Sequence, residues 1–233
     1  MFMEALQWSV CATSVESLDT LFNDLEQLGA ARPPTRCYKR EEIANQIQAI
    51  VDGGKETGKD VVTKAFLAGQ YEEVIGTEFY ATTMDGKSTL GKMSFKNWKP
   101  LDAVTVIDSS VNNRGEVGSS QEYRTEANFT FTESGMKGKS SLIGSYRLDE
   151  EDPSKIIVQF AAVRLGPGSS DPADVKAWKE FLGPHNPTMD EDGFVVTPFE
   201  KGPQAWLQFI YMDKDVQCFE SQNGTFHMLK RLS

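Results

Sequence analysis

Two histidines and three cysteines are the whole stock of imidazole and thiol in 233 residues. His185 stands in a Gly-Pro-His-Asn-Pro segment and His227 near the C-terminus, so neither has the i, i+4 partner that sets two imidazoles on one helix face for zinc. Cys11, Cys37 and Cys218 form no CxxC pair, and their odd number reads as reduced thiols. A nucleophile needs a base beside it, yet there is no G-x-S-x-G elbow and no histidine placed to serve a cysteine. Thr188-x-Asp190-x-Asp192-Gly193 echoes a calcium loop, but its twelfth position is Phe199 where a bidentate glutamate belongs, so it reads as a solvated turn. The glycine pairs at 115/118 and 135/138 lack the strand-to-helix setting that cradles phosphate. Glu72-Glu73 and Asp149-Glu150-Glu151 read as exposed charge at strand ends. The chain therefore reads as non-enzymatic, without a metal and with no required cofactor.

The elements that would carry any site change character near residue 70. Before it, Thr13 and Glu16 suit a capping box, and Val15, Leu18, Phe22, Leu25 and Leu28 recur at helical spacing up to Gly29. Ile43, Ile47, Ile50 and Val51 mark a second apolar stripe ending at Gly53-Gly54, and residues 60–68 suit a third short helix. Two one-sided helices must cover something larger. From Tyr71 onward the pattern alternates and is broken by Gly, Asn, Asp and Ser about every ten residues, the rhythm of an antiparallel barrel or sandwich. In residues 123–131, Tyr123, Ala127, Phe129 and Phe131 share one face while Arg124, Glu126, Asn128 and Thr130 meet water. One helix interrupts the strands near 172–182, with Asp171 as N-cap, Pro172 at its first turn and Gly183-Pro184 as its stop.

Residues 204–233 read as three consecutive strands. In Gln204 to Met212 large apolar side chains fall at odd and even positions, as in a strand that lines a closed interior and is covered outside. Asp213-Lys214-Asp215 makes a reversal, and Asn223-Gly224 is a strong hairpin signal because both residues tolerate positive φ. A closed barrel of this size holds either packed side chains or one small apolar ligand. Trp206, Phe209, Tyr211, Phe226 and Met228, with Phe129 and Phe131, are the candidates to line such an interior. Tyr211 and Arg231 are the candidates to orient a head group, and Lys230 and Arg231 to close the barrel against Trp98 or Trp206 by cation–π stacking.

The ending W-L-x-x-x-Y-x-D-x-D-V (206–216), then N-G-T-F-H-M-L-K-R (223–231), resembles the close of the plastid lipid-associated protein family, the plant fibrillins. The likeness extends upstream through Leu90-Gly91-Lys92-Met93-Ser94-Phe95, Lys99-Pro100-Leu101, Asn128-Phe129-Thr130, Tyr146-Arg147 and Asp152-Pro153, covering roughly residues 70 to 233. The sequence departs from that pattern at Gln217-Cys218-Phe219-Glu220, where the family carries an arginine-rich strand. The resemblance implies a mainly β, α+β fold: a lipocalin-like antiparallel β-barrel over residues 70–233, flanked by amphipathic helices from residues 1–69. It also implies residence in a chloroplast or other plastid, association with thylakoids or lipid globules, and a bound lipid, carotenoid, quinone, fatty acid or chlorophyll.

A net charge of −10 argues against a nucleic-acid partner and against electrostatic adhesion to anionic lipid. No apolar run approaches the length needed to span a bilayer, so a peripheral association with membrane is expected. The first residues lack the Arg- and Ser-rich look of a transit peptide, so a plastid targeting segment is expected to be missing from this sequence. Phe2, Leu6 and Trp8 form a short apolar string with no evident place in a barrel. They suggest a second role, as a structural or linker subunit attached to a photosynthetic pigment–protein complex.

Overall fold

The computed structural model describes residues 17–31, 37–56, 64–77, 87–115 and 122–232. In chain order the helices are α1 (Leu18–Ala31), α2 (Ala44–Glu56), α3 (Lys64–Leu67), α4 (Leu90–Met93) and α5 (Pro172–Leu182). The strands are β1 (Cys37–Tyr38), β2 (Gly69–Thr77), β3 (Lys87–Thr89), β4 (Val104–Arg114), β5 (Glu122–Phe131), β6 (Lys137–Leu148), β7 (Lys155–Pro167), β8 (Val195–Pro198), β9 (Gln204–Met212), β10 (Val216–Ser221) and β11 (Phe226–Arg231).

Eight of these strands close on themselves in the order β2-β11-β10-β9-β7-β6-β5-β4, and pairing of β4 with β2 seals the ring. All eight barrel pairings are antiparallel, as expected for a lipocalin-like barrel with helices added. The β10–β11 hairpin turns at Asn223-Gly224, with Gly224 at φ 79°. At the β9–β10 reversal the Asp213 carboxylate accepts hydrogen bonds from the backbone N–H of Asp215 and Val216, both at 2.7 Å.

Four bulges decide which side chains face the axis, because one extra residue reverses the alternation beyond it. Register shifts fall at Val74 in β2, Asp108 in β4, Ala161 in β7 and Ile210 in β9. Leu207, Phe209 and Met212 therefore join one buried cluster with Tyr71, Tyr123, Tyr146, Ile156, Val158, Phe219 and Leu229 inside the barrel. Ile210 and Tyr211 join another, outside it, with Leu21, Phe22, Leu25, Ile43, Ile47 and Ile50 of the helices. The doubly apolar β9 is explained by this pair of clusters: one face fills the barrel and the other carries α1 and α2.

The helices run farther than their glycines suggest. α1 continues past Gly29 to Ala31 and α2 runs through Gly53-Gly54, because these glycines are contact surfaces and not stops. The capping box expected at Thr13 and Glu16 lies outside the described residues. α5 spans the interval read from the sequence, with the Asp171 carboxylate accepting from Ala173 N–H at 2.8 Å. No described helix is long and apolar enough to cross a membrane.

In the β6–β7 turn Asp149, among the acids read as exposed strand-end charge, and the adjacent Asp152 also serve as hydrogen-bond acceptors. Asp149 accepts from the N–H groups of Glu151 and Asp152, and Asp152 accepts from the N–H and hydroxyl of Ser154 at 3.0 and 2.5 Å. The two Ser154 bonds hold the Asp152 carboxyl down at about 2. A depressed folded-state value contributes stability above the unfolded value of about 3.9, lost as pH falls through the folded one. Its side chain keeps 34% of its surface, so solvent screens much of the effect. Asp152→Asn is expected to flatten the acid limb of stability between about pH 4 and 2. Thermal unfolding across that range checks it, and an unchanged slope refutes it.

Candidate ligand-binding interior

Directly paired residues in an antiparallel sheet share a face, so the barrel axis can be followed level by level. At the near end, where β2 begins and β11 ends, Tyr71, Arg114, Tyr123, Tyr146, Phe209, Gln217 and Arg231 gather. At the far end Phe129, Phe131 and Leu165 are capped by Met93, Trp98, Trp178 and Leu182 from α4, α5 and the loop following α4. Between them β4, β5 and β6 place Ser110, Ala127 and Ser140 side by side. Thr125, Leu142 and Phe160 face the axis around that belt and are only half-buried, whereas the aromatic layers at either end are buried. Small side chains at the waist of an eight-stranded barrel fill less of its axis than the aromatic layers on either side.

The near end is shut by a hydrogen-bonded clasp. Arg231 donates from Nε to Lys214 C=O at 2.8 Å and from Nη2 to Ala68 C=O at 3.0 Å and to the Tyr71 hydroxyl. Its guanidinium lies 4.9 Å above the Tyr71 ring, and the Tyr71 hydroxyl donates to Phe66 C=O. Gln217 donates to the same carbonyl at 2.6 Å, leaving its own carbonyl oxygen buried without a donor. Burial raises the Tyr71 phenol, with Arg231 and Arg114 opposing.

Arg114 lies deeper and is different in kind. It is 4% exposed, and Nε, Nη1 and Nη2 all lack a hydrogen-bond partner. Its guanidinium rests 5.3 Å from the centre of the Tyr71 ring and 5.5 Å from that of Phe209. The nearby hydroxyls are directed elsewhere: Tyr123 to Asn112 at 3.0 Å and Tyr146 to Gly115 C=O at 2.6 Å. Burial pushes the guanidinium below its ordinary range, with the tyrosines opposing, and it remains a cation at neutral pH. An uncompensated buried charge costs several kcal/mol even after relaxation, so this is the most strained electrostatic feature described in the barrel.

On the neighbouring strand β2 Glu73 receives His227 Nδ1 at 2.7 Å, and the imidazole stacks on Phe219 at 5.0 Å. Glu73 is thus an axis-facing residue and not strand-end charge, since it lies two residues from Tyr71 on the same face of β2. His185 is exposed in a single 3-10 turn. Asp190 caps its own loop by accepting from Asp192 and Phe194 N–H. Among the described residues no three His, Cys, Asp or Glu side chains converge as a metal site would require. Cys218 is free and buried under the helices, where burial first and Asp213 second raise its thiol far above the ordinary range.

The residues expected to line the interior divide. Phe209, Phe129 and Phe131 face the axis. Tyr211, Phe226 and Met228 do not: they pack outside against α1 and α2, with Tyr211 4.9 Å from Phe22 and donating to Asp213 at 2.8 Å. The Ile210 bulge reverses Tyr211, and β11 turns its more apolar face outward because the helices bury it there. Burial and the Asp213 carboxylate raise the Tyr211 phenol, which lies in the outer cluster and so is not a head-group ligand within the barrel. Trp206 is half-buried on the outer side, with Lys155 Nζ 5.2 Å from its ring. Arg231 stacks on Tyr71 and not on Trp98 or Trp206, and Lys230 points outward to Glu26 of α1 at 2.6 Å. Phe2, Leu6 and Trp8 lie outside the described residues.

Arg114, Tyr71, Asn112 and Glu73 escaped the sequence reading of the interior. β4 reads Val104-Thr-Val-Ile-Asp-Ser-Ser-Val-Asn-Asn-Arg114, and its polar second half gives hydrophobic alternation nothing to register. The available signal was a lone arginine beside Gly115, a hairpin-type break that marks the strand's end. The chain matches no family model, no curated protein and no solved structure in the comparisons made.

Proposed function

We propose that this protein is a non-enzymatic carrier of an apolar molecule, held along the barrel axis between the two aromatic layers. The observation that carries the reading is the waist: Ser110, Ala127 and Ser140 are adjacent small side chains in a barrel whose other levels are filled by Tyr, Phe and Trp. Burial of apolar ligand there is driven at roughly 25 cal/mol per Å². The fibrillin resemblance supports the same role and adds a plastid setting, peripheral to thylakoids or lipid globules. Carotenoids, quinones and fatty acids are the ligand classes it implies.

Organic extraction of the purified protein, followed by identification of what dissolves, tests the reading directly. Ala127→Phe fills the waist from the middle of that belt of small side chains. It is expected to remove most of the extractable ligand while the circular dichroism spectrum stays that of wild type. Equal ligand content in wild type and variant, or none in either after reconstitution with mixed plastid lipids, contradicts carriage in the barrel.

A further inference from the structure

We propose that Arg114 is a specificity-determining residue that receives the carboxylate of a single-chain amphiphile inside the barrel. The inference rests on carriage in the barrel and names which ligand class is carried. Arg114 is buried, cationic and without an acceptor among the described residues, while its neighbours satisfy one another. Arg231 contributes a second cation nearby, and its Nε and Nη2 are directed to the clasp. Glu73, an axis-facing carboxylate on the neighbouring strand β2, is joined to His227 of β11. The near end of the interior therefore holds excess positive charge in a protein whose net charge is −10.

Geometry selects a carboxylate. A guanidinium presents planar paired N–H groups that match two carboxylate oxygens, and such bonds are about twice as strong as neutral ones. The aromatic faces of Tyr71 and Phe209 hold the plane of Arg114 but accept no N–H bond in its edge. The unpaired carbonyl oxygen of Gln217, in the same layer, would accept from a protonated or water-bridged head group. From the Arg114–Tyr123 pair to Phe129 the strand runs six residues, about 20 Å, past Thr125 and the Ser110-Ala127-Ser140 belt. An extended acyl chain lies along that path with its methyl end against Phe129 and Phe131. Neutral carotenoids and quinones would leave Arg114 unpaired, so the site discriminates against them.

The test compares laurate, methyl laurate and dodecyl phosphate on the delipidated full chain, titrated by intrinsic tryptophan fluorescence. In wild type laurate is expected to bind roughly tenfold or more tighter than its ester, the scale of one charge-assisted bond. In Arg114→Met that preference falls to near unity with ester affinity kept within about twofold, and the unliganded unfolding midpoint rises because an unpaired charge has gone. Arg114→Lys keeps charge without the planar fork and retains an intermediate preference. Equal affinity for acid and ester in wild type overturns the Arg114 assignment and leaves carriage standing, a comparison that needs no variant to fold. Dodecyl phosphate binding about tenfold tighter than laurate overturns the choice of carboxylate. Failure of all three to bind overturns the Arg114 assignment together with carriage of single-chain amphiphiles, and a lowered midpoint in Arg114→Met with the preference intact makes Arg114 a core prop.

Discussion

Trp178→Ala is expected to cost about 3–5 kcal/mol, the range for removing a large buried aromatic. Trp178 is fully buried and sits 6.0 Å from Trp98, 6.4 Å from Phe129 and 6.1 Å from Phe131, so it is the side chain about which the far-end plug is arranged. Its Nε1–H donates to Gly193 C=O at 2.9 Å, tying α5 to the loop that leads into β8. Below it Gly138 has no Cβ, and one added there would meet Phe129 at 2.2 Å and Trp178 at 2.8 Å. For a chain this size the loss corresponds to a Tm drop on the order of 10 °C. Thermal unfolding and amide exchange of α5 measure it, with exposed Lys176→Ala as the comparison. Equal midpoints for the two variants would show that α5 is not the plug.

Gly29→Ala has an expected sign opposite to its usual one. In an open helix interior the change stabilises by up to about 1 kcal/mol. Here a Cβ at Gly29 would stand 1.9 Å from the carbonyl oxygen of Val74, a backbone atom of the barrel wall. α1 can accept the methyl only by lifting from β2, so a loss of about 1–3 kcal/mol is expected, as for overpacking. Gly53→Ala in α2 is the internal control, since the nearest atom is the flexible end of Leu18 at 2.8 Å. Denaturant unfolding of both variants settles the matter: if Gly29→Ala gains stability as Gly53→Ala does, α1 does not rest on the barrel as described.

The Gly29 contact also shows where sequence reading fails. A glycine after a helical stripe signals a stop by its conformational freedom, but the same residue serves close approach by lacking a side chain, and only the neighbour distinguishes these uses. Strand β5 was legible because its outer face is polar or charged and its inner face is apolar apart from Thr125. β4 was not, since its interior half carries Asn112 and Arg114, whose environment depends on strands far away in sequence. α5 was legible from end to end because cap, proline and apolar stripe are all local signals.

The sequence by itself determined the mainly antiparallel β character after residue 70, the helical segments before it, the Asn223-Gly224 hairpin and the inserted helix. These follow from periodicity and turn chemistry, which act over a few residues. Only the tertiary structure decided which face each apolar residue takes. The Ile210 bulge put Tyr211 outside, the weight of α1 and α2 put the Phe226 and Met228 face of β11 outside, and Arg114 was left inside. A single extra residue in a ladder inverts every position beyond it, and no local pattern records where that residue falls.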